Sequence, residues 1–211
     1  MQKDIRDAVA FHGHLCPMSV LGARMGLLAL RKLGVKRATG IKLTGVVYND
    51  LCAVDGFQFV TGCTTGKRTL IVRDYGMLSA DLFDANARKG MHISLKALNE
   101  LPEVMRYALD YGAKMQSFVK RSFDSEEERK SALRKLNDEA AEIVASLEDI
   151  ADEELFNARD IEFVAPPPQT KDMTFAECAN CGEIGLRDHL TKKGNEHVCR
   201  ICMGRDSHEM Q

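Results

Sequence analysis

The chain has 211 residues, 45% hydrophobic and 28% charged, which is length for one good-sized domain plus a small one and apolar content for a true core. A net charge of −2, no tryptophan and 6% aromatics leave no electrostatic or stacking basis for binding nucleic acid or an anionic membrane. The amino-terminal stretch has no apolar run long enough for a signal peptide or a membrane span. An odd count of seven cysteines points to metal ligands or reactive thiols before disulfides, so the expectation is a cytoplasmic protein.

Residues near Asp4 to Ala10 predict a short helix with Ile5, Ala8 and Val9 on one face, broken by the segment "HGHL" (12–15). Cys16 then takes an N-cap-like position with Pro17 in the first turn. Val20, Leu21, Met25, Leu28 and Leu33 carry a helix until Gly34 stops it. Gly22 and Gly26, four apart, allow a second backbone to come close; without a long apolar stretch around them they do not imply a membrane dimer. "IKLTGVVYND" (41–50) predicts a strand, and "LCAVDGFQFVTGC" (51–63) a short helix capped by Asp50. "KRTLIVRDYG" (67–76) and "KGMHISLKAL" (89–98) predict strands, while periodicity leaves "MLSADLFDAN" (77–86) undecided between strand and helix.

The second half reads as helical. One helix is expected over Leu101 to Val119 and another over Ser125 to Phe156, where three glutamates after Asp124-Ser125 complement the helix dipole. In the latter, Leu133, Leu136, Ala140, Ile143, Leu147 and Ile150 step alternately by three and four, either a face packed on its own domain or a seam for a homodimer. "APPPQT" (165–170) cannot continue a helix and favours a stiff spacer. The chain therefore divides into a domain over 1–165, a proline-rich linker over 166–170 and a small domain over 171–211.

In the tail, "CANC" (Cys178 and Cys181) and "CRIC" (Cys199 and Cys202) stand 17 residues apart, the spacing of a four-thiolate structural zinc site. Two redox dithiols would not need the second hook to repeat the first. So short a segment has little core, and metal binding would supply its folding free energy. Four thiolates complete such a site and leave His189 and His197 outside it. Six basic residues against seven acids, with Phe175 as the one aromatic, suit protein contacts better than phosphates.

At the front, Cys16, Cys52 and Cys63 each sit at an inferred helix end or loop, with His12 and His14 two residues apart in an irregular segment. Three readings fit these residues: a mixed His/Cys metal centre, a Cys–His nucleophilic pair, or small core residues. "TGCTTGK" (61–67) is not a phosphate loop, because Thr61 stands where the first glycine belongs and Arg68 replaces the Ser/Thr after Lys67.

"FHGHLCP", "GARMGLLAL", "NDLCAVDGFQFVTGCTTGKRTL" and "RDYG" together resemble the E-subunit family of formylmethanofuran dehydrogenase, over roughly residues 8 to 100. The cysteine tail is similar to the zinc ribbon or treble clef found on some members. The chain departs from the pattern at Met18, where the family usually has glycine. The resemblance implies an α+β domain with a mixed or antiparallel sheet and a metal site, again with zinc expected, built on the His-x-Cys segment. His14 and Cys16 would be ligands, with Cys52 or Cys63 from the later blocks, and His12 either a ligand or a group orienting one. Asp55 and Lys67 become candidates for proton transfer or for holding an anion; the alternative is a solvated loop pair. The parent complex reduces carbon dioxide onto methanofuran, a methanogenesis-related reaction, with a molybdenum or tungsten pterin. Nothing here resembles its pterin-binding subunit or an iron–sulfur cysteine run, so the expected role is accessory, in contact with oxidoreductase complex subunits, or else that of a metal-dependent interaction module.

Overall fold

Helix α1 (Lys3–His12) ends where Gly13 turns left-handed at φ 93°, which keeps His12 on the last helical turn instead of in the irregular segment after it. In this computed structural model residues 1–164 and 173–204 are described, and the chain divides into two units, Met1–Ala165 and Pro166–Gln211. The proline-rich linker expected at 166–170 lies outside the described residues.

Helix α2 (Pro17–Leu33) begins at Cys16, whose extended backbone (φ −134°, ψ 122°) hands over to Pro17, and it stops at left-handed Gly34. Most of its residues are buried, which makes it the central helix of the first unit. Strand β1 (Leu43–Val47) leads into a turn organised by Asn49. That side chain accepts from the Leu51 N–H at 3.2 Å and donates to the Met77 carbonyl at 2.9 Å, a pair of roles open to an amide but not to a carboxylate. The cap expected of Asp50 is thus corrected: Cys52 is the N-cap of α3 (Ala53–Thr61), and the turn before it belongs to Asn49.

Helices α2 and α3 meet through glycine. A Cβ on Gly22 would lie 1.9 Å from the Ala53 carbonyl oxygen, and one on Gly56 would lie 2.0 Å from that of Ser19. Only bare backbone permits this approach, and it sets the first turns of the two helices side by side.

The sheet has the order β2-β1-β3-β4-β5, with β2 (Leu70–Val72), β3 (Ser79–Asp84), β4 (Lys89–Leu95) and β5 (Phe156–Glu162). β1 runs parallel to β2, Val46 opposite Ile71, and every other pair is antiparallel, so the sheet is mixed and the fold is α+β. Helix α2 packs on β3 and β4, and Leu21, Leu28, Phe57, Leu82, Met91 and Ile93 form the centre of the core. The undecided segment resolves as β3. It is buried along its whole length, which erases the alternation that marks a half-exposed strand.

Helix α4 (Val104–Lys120) turns Met105, Ala108 and Tyr111 inward. Helix α5 (Glu126–Glu148) starts on Ser125, whose hydroxyl accepts from the Glu128 N–H. It does not run on to Phe156. Arg24 donates to the carbonyls of Leu147 (2.6 Å) and Ile150 (2.5 Å) and to Asp152 (2.7 Å), satisfying the open end of the helix from a neighbouring element. One turn, α6 (Asp152–Leu155), follows, and then β5, an edge strand whose mostly exposed polar side chains carry no hydrophobic alternation. Ala140, Ile143 and Leu147 of the stepped face are buried in the core of their own unit, so that face is occupied internally.

The second unit holds two hairpins, β6 (Phe175–Glu177) with β7 (Ile184–Leu186) and β8 (Thr191–Lys193) with β9 (Glu196–Val198). The first cysteine hook is the turn between β6 and β7, eased by Gly182 at φ 74°, and the second follows β9.

Candidate metal centre

Three helix ends converge in the first unit: the last turn of α1 with His12, the residue before α2 with Cys16, and the residue before α3 with Cys52. One donor atom from each lies within 4.8 Å of the others. The glycine contacts between α2 and α3 bring the two thiols together, and the left-handed stop at Gly13 leaves the imidazole on a helix rather than a loop.

The imidazole is oriented from behind. His12 Nδ1 lies 2.8 Å from Asp55 Oδ2, in the first turn of α3, and that contact makes Nδ1 the protonated nitrogen. Nε2 is then left with a lone pair; it is buried and has no hydrogen-bond partner. A buried acceptor without a partner is costly, and such atoms mark sites for an ion or water. An imidazole held by a carboxylate on one nitrogen, with the other facing two thiols, is the arrangement of a metal ligand and the group that orients it.

The thiols are set for the same role. Cys16 is pulled down to about 7 by the hydrogen bond from Cys52 and then by the backbone N–H groups of Ser19 and Met18, against the opposite push of burial. Cys52 is pushed up by Cys16 and by burial, while the nearby His12 works the other way. In physical terms the pair shares a proton, and Cys16, at the start of a helix, gives up its own first. A thiophilic divalent cation would replace that proton. These three donors fit one with a coordination position to spare.

The other front residues are placed differently. His14 is exposed and stands beside His12 with ring centroids 4.5 Å apart, outside the three-donor group; burial and then the charge of His12 lower its basicity. Cys63 is fully buried, and burial pushes its thiol up. It follows the carboxyl end of α3 whereas Cys52 precedes the amino end, and the nine-residue helix between them is about 14 Å long, too far for one ion. Lys67 reaches back to the Gly62 carbonyl and so closes the loop after α3, at the end away from the three donors. Asp55 bonds His12 rather than standing free in a loop.

In the tail, the Sγ atoms of Cys178, Cys181, Cys199 and Cys202 also lie within 4.8 Å of one another. Cys181 and Cys199 are 3.9 Å apart, far beyond a disulfide and close to the edge of about 3.8 Å for a tetrahedron with zinc–sulfur bonds. The Cys199 N–H points at Cys178 Sγ (3.3 Å) and the Cys202 N–H at Cys199 Sγ (3.4 Å). Cys178 is pulled down to about 6 by the N–H groups of Cys199 and Cys181, and Cys202 is pushed up to about 12, chiefly by Cys199.

Two polar features escaped the sequence reading. Tyr111 is 1% exposed and its hydroxyl has no partner. Across the sheet, buried Asp81 accepts from the Tyr48 hydroxyl at 2.5 Å and lies 2.6 Å from His92 Nδ1. Burial and Asp81 push the Tyr48 phenol up to about 12. The alternation of "KGMHISL" put Met91 and Ile93 on one face and His92 on the other, which was the available signal for this second group.

Comparison with known proteins adds three findings. A family model described as "FmdE, Molybdenum formylmethanofuran dehydrogenase operon" matches residues 11–157. A curated protein of Archaeoglobus fulgidus, described as "Probable S-adenosyl-L-methionine-binding protein", is 30% identical over 203 residues, or 93% of this chain and 51% of that one. The chain thus spans about half the length of this relative. A crystal structure of a tungsten formylmethanofuran dehydrogenase FmdE-like protein from Syntrophus aciditrophicus aligns with a TM-score of 0.60 at 19% identity. The alignment covers 97% of this chain and 92% of that one and establishes a common fold.

Proposed function

Because the chain belongs to the FmdE family, named for the formylmethanofuran dehydrogenase operon, we propose that it is a two-metal accessory protein of a one-carbon oxidoreductase system. Its front site takes a zinc-like ion on His12 Nε2, Cys16 and Cys52, and its tail takes a structural zinc on Cys178, Cys181, Cys199 and Cys202. The observation that carries this reading is the buried, unpartnered His12 Nε2, fixed by Asp55 and facing two thiols. Three protein donors on an ion that prefers four leave one position for water or a small ligand, which favours an open centre over a closed structural one. An ion there would supply Lewis acidity and a bound water of lowered pKa. The chain's own part is to hold that ion, to fix the imidazole through Asp55 and to shelter the thiols. Near-neutral charge and the thiolate-held second unit suit contacts with oxidoreductase subunits or a second copy of the chain, in the cytoplasm.

Metal analysis of the purified full chain tests this directly. About two metal ions per chain are expected, one lost with Cys16→Ser and the other with Cys178→Ser. A single ion, lost with Cys178→Ser and indifferent to Cys16→Ser, would remove the front site. A second reading draws on the Archaeoglobus fulgidus relative, whose name makes S-adenosyl-L-methionine a ligand to try on this chain. A calorimetric titration showing no heat of binding disposes of it.

A further inference from the structure

Among the described residues, two buried side-chain polar atoms lack a hydrogen-bond partner: His12 Nε2 and the Tyr111 hydroxyl. The first belongs to the three-donor site. The second comes from α4, which packs on α2, and Tyr111 lies in the same apolar cluster that holds Cys16 and Cys52.

A tyrosine this deeply buried normally finds a partner for its hydroxyl, since nothing else offsets the loss of water. Glu139, a carboxylate whose charge reaches Tyr111, is engaged by Lys114. Burial first, and then the negative charge of Cys16, Glu139 and Cys52, keeps the phenol protonated, so it remains a donor. An ion on three protein donors carries an outside ligand in its fourth position, and that ligand needs a donor of its own. The two orphaned atoms are complementary: one lacks an electron-pair acceptor, the other a hydrogen-bond acceptor. A metal-bound anion satisfies both.

We infer that Tyr111 donates a hydrogen bond to the non-protein ligand of the His12–Cys16–Cys52 centre, and that this centre selects a small anion with an acceptor atom to spare, such as hydroxide or a carboxylate. The inference rests on the front metal site proposed above. It gives the open position a chemical preference, for ligands that accept a hydrogen bond over ligands of equal size that do not.

The test uses the full chain with cobalt(II) loaded at the front site, azide as the accepting ligand and imidazole as the ligand whose second nitrogen donates. In Tyr111→Phe, cobalt affinity should hold while azide binding, read from the cobalt spectrum, weakens about tenfold, the worth of one hydrogen bond to a charged acceptor. The preference for azide over imidazole should fall by the same factor, which a purely structural role for the ring would not produce. Equal azide affinity in both proteins, with cobalt bound normally, overturns this inference and leaves the metal site standing. Failure of the wild-type chain to take cobalt at the front site sinks both. A crystal structure of the wild-type protein with metal and azide reads the same point if the variant does not fold. The phenolic oxygen within hydrogen-bond distance of azide supports the inference, and a phenol bonded only to protein refutes it.

Discussion

Replacing Asp55 with asparagine isolates the contact that decides which histidine can be a ligand. The carboxylate lies 2.8 Å from His12 Nδ1, and its side chain is 45% exposed while that of His12 is only 9% exposed. A hydrogen bond to a charged partner contributes about 1.5–3 kcal/mol, and a neutral one about 1 kcal/mol. Solvent at the half-exposed Asp55 screens part of the charge, so the lower end of that range applies. Asparagine keeps a neutral acceptor in the same place. The difference is then about 0.5 kcal/mol, or roughly a two- to threefold loss of front-metal affinity. Asp55→Ala, which leaves Nδ1 to water and lets the ring turn, should approach the hundredfold end of what such outer partners are worth. Competition of the full chain against a chromophoric chelator measures both sites at once, and the tail provides an internal reference that neither substitution should move. Unchanged front affinity in Asp55→Ala would mean that His12 is not held by Asp55 when the ion is bound, and the assignment of Nε2 as a ligand would go with it.

The remaining predictions concern the scaffold and pH. Gly22→Ala would put a methyl 1.9 Å from the Ala53 carbonyl, where neither backbone can yield without parting α2 from α3. Thermal unfolding should show a loss of about 3 kcal/mol with front-metal affinity falling alongside; a stable variant that still binds the front ion would refute the glycine contact as the device that joins the thiols. The metal-free protein should also carry a pH signature from Cys16, whose folded value of about 7 lies below its ordinary 9. A depressed thiol stabilises the fold fully above about 9, and that contribution is lost as the pH falls through about 7. The stability gap between wild type and Cys16→Ser in denaturant titrations should therefore shrink from pH 9 to pH 6, and a gap that stays constant would count against a thiolate at that position.

What could be read from the sequence followed how local the controlling interaction is. The tail was legible because two hooks of four residues each carry their own geometry, and the spacing alone restricts what they can bind. The start of α2 was legible for the same reason, since Cys-Pro before an apolar run and a glycine after it are instructions within one element. The choice between His12 and His14 was not. Both flank Gly13, and it takes the left-handed turn at Gly13 together with a carboxylate 43 residues away to decide which ring faces the thiols. The choice between Cys52 and Cys63 also turned on length, because the helix between them separates what a loop would have brought together. β5 was hidden by its position at the edge, where polar side chains replace the pattern that betrays a strand. Arg24, in the interior of α2, ends α5, so that boundary was written in another element altogether.

These cases share a physical cause that also bears on function. The front site is assembled from the ends of three helices, and helix ends are where backbone groups lack partners and positions are fixed by caps rather than by periodicity. Each donor is rigid because its own element is packed; His12 and Cys16 are joined through the turn at Gly13, and Cys52 is brought to them from far along the chain by the close approach at Gly22. Such a site is held as firmly as the core, since Cys16 and Cys52 pack in the same apolar cluster as Tyr111. A ligand entering it meets groups that do not need to move, which is the condition under which a hydrogen bond or a charge discriminates between ligands instead of adapting to them. The coupling runs both ways: a substitution that loosens the contact between α2 and α3 should blur ligand preference before it abolishes metal binding, because separation of the thiols by a few tenths of an ångström still permits an ion but no longer fixes where its fourth ligand points.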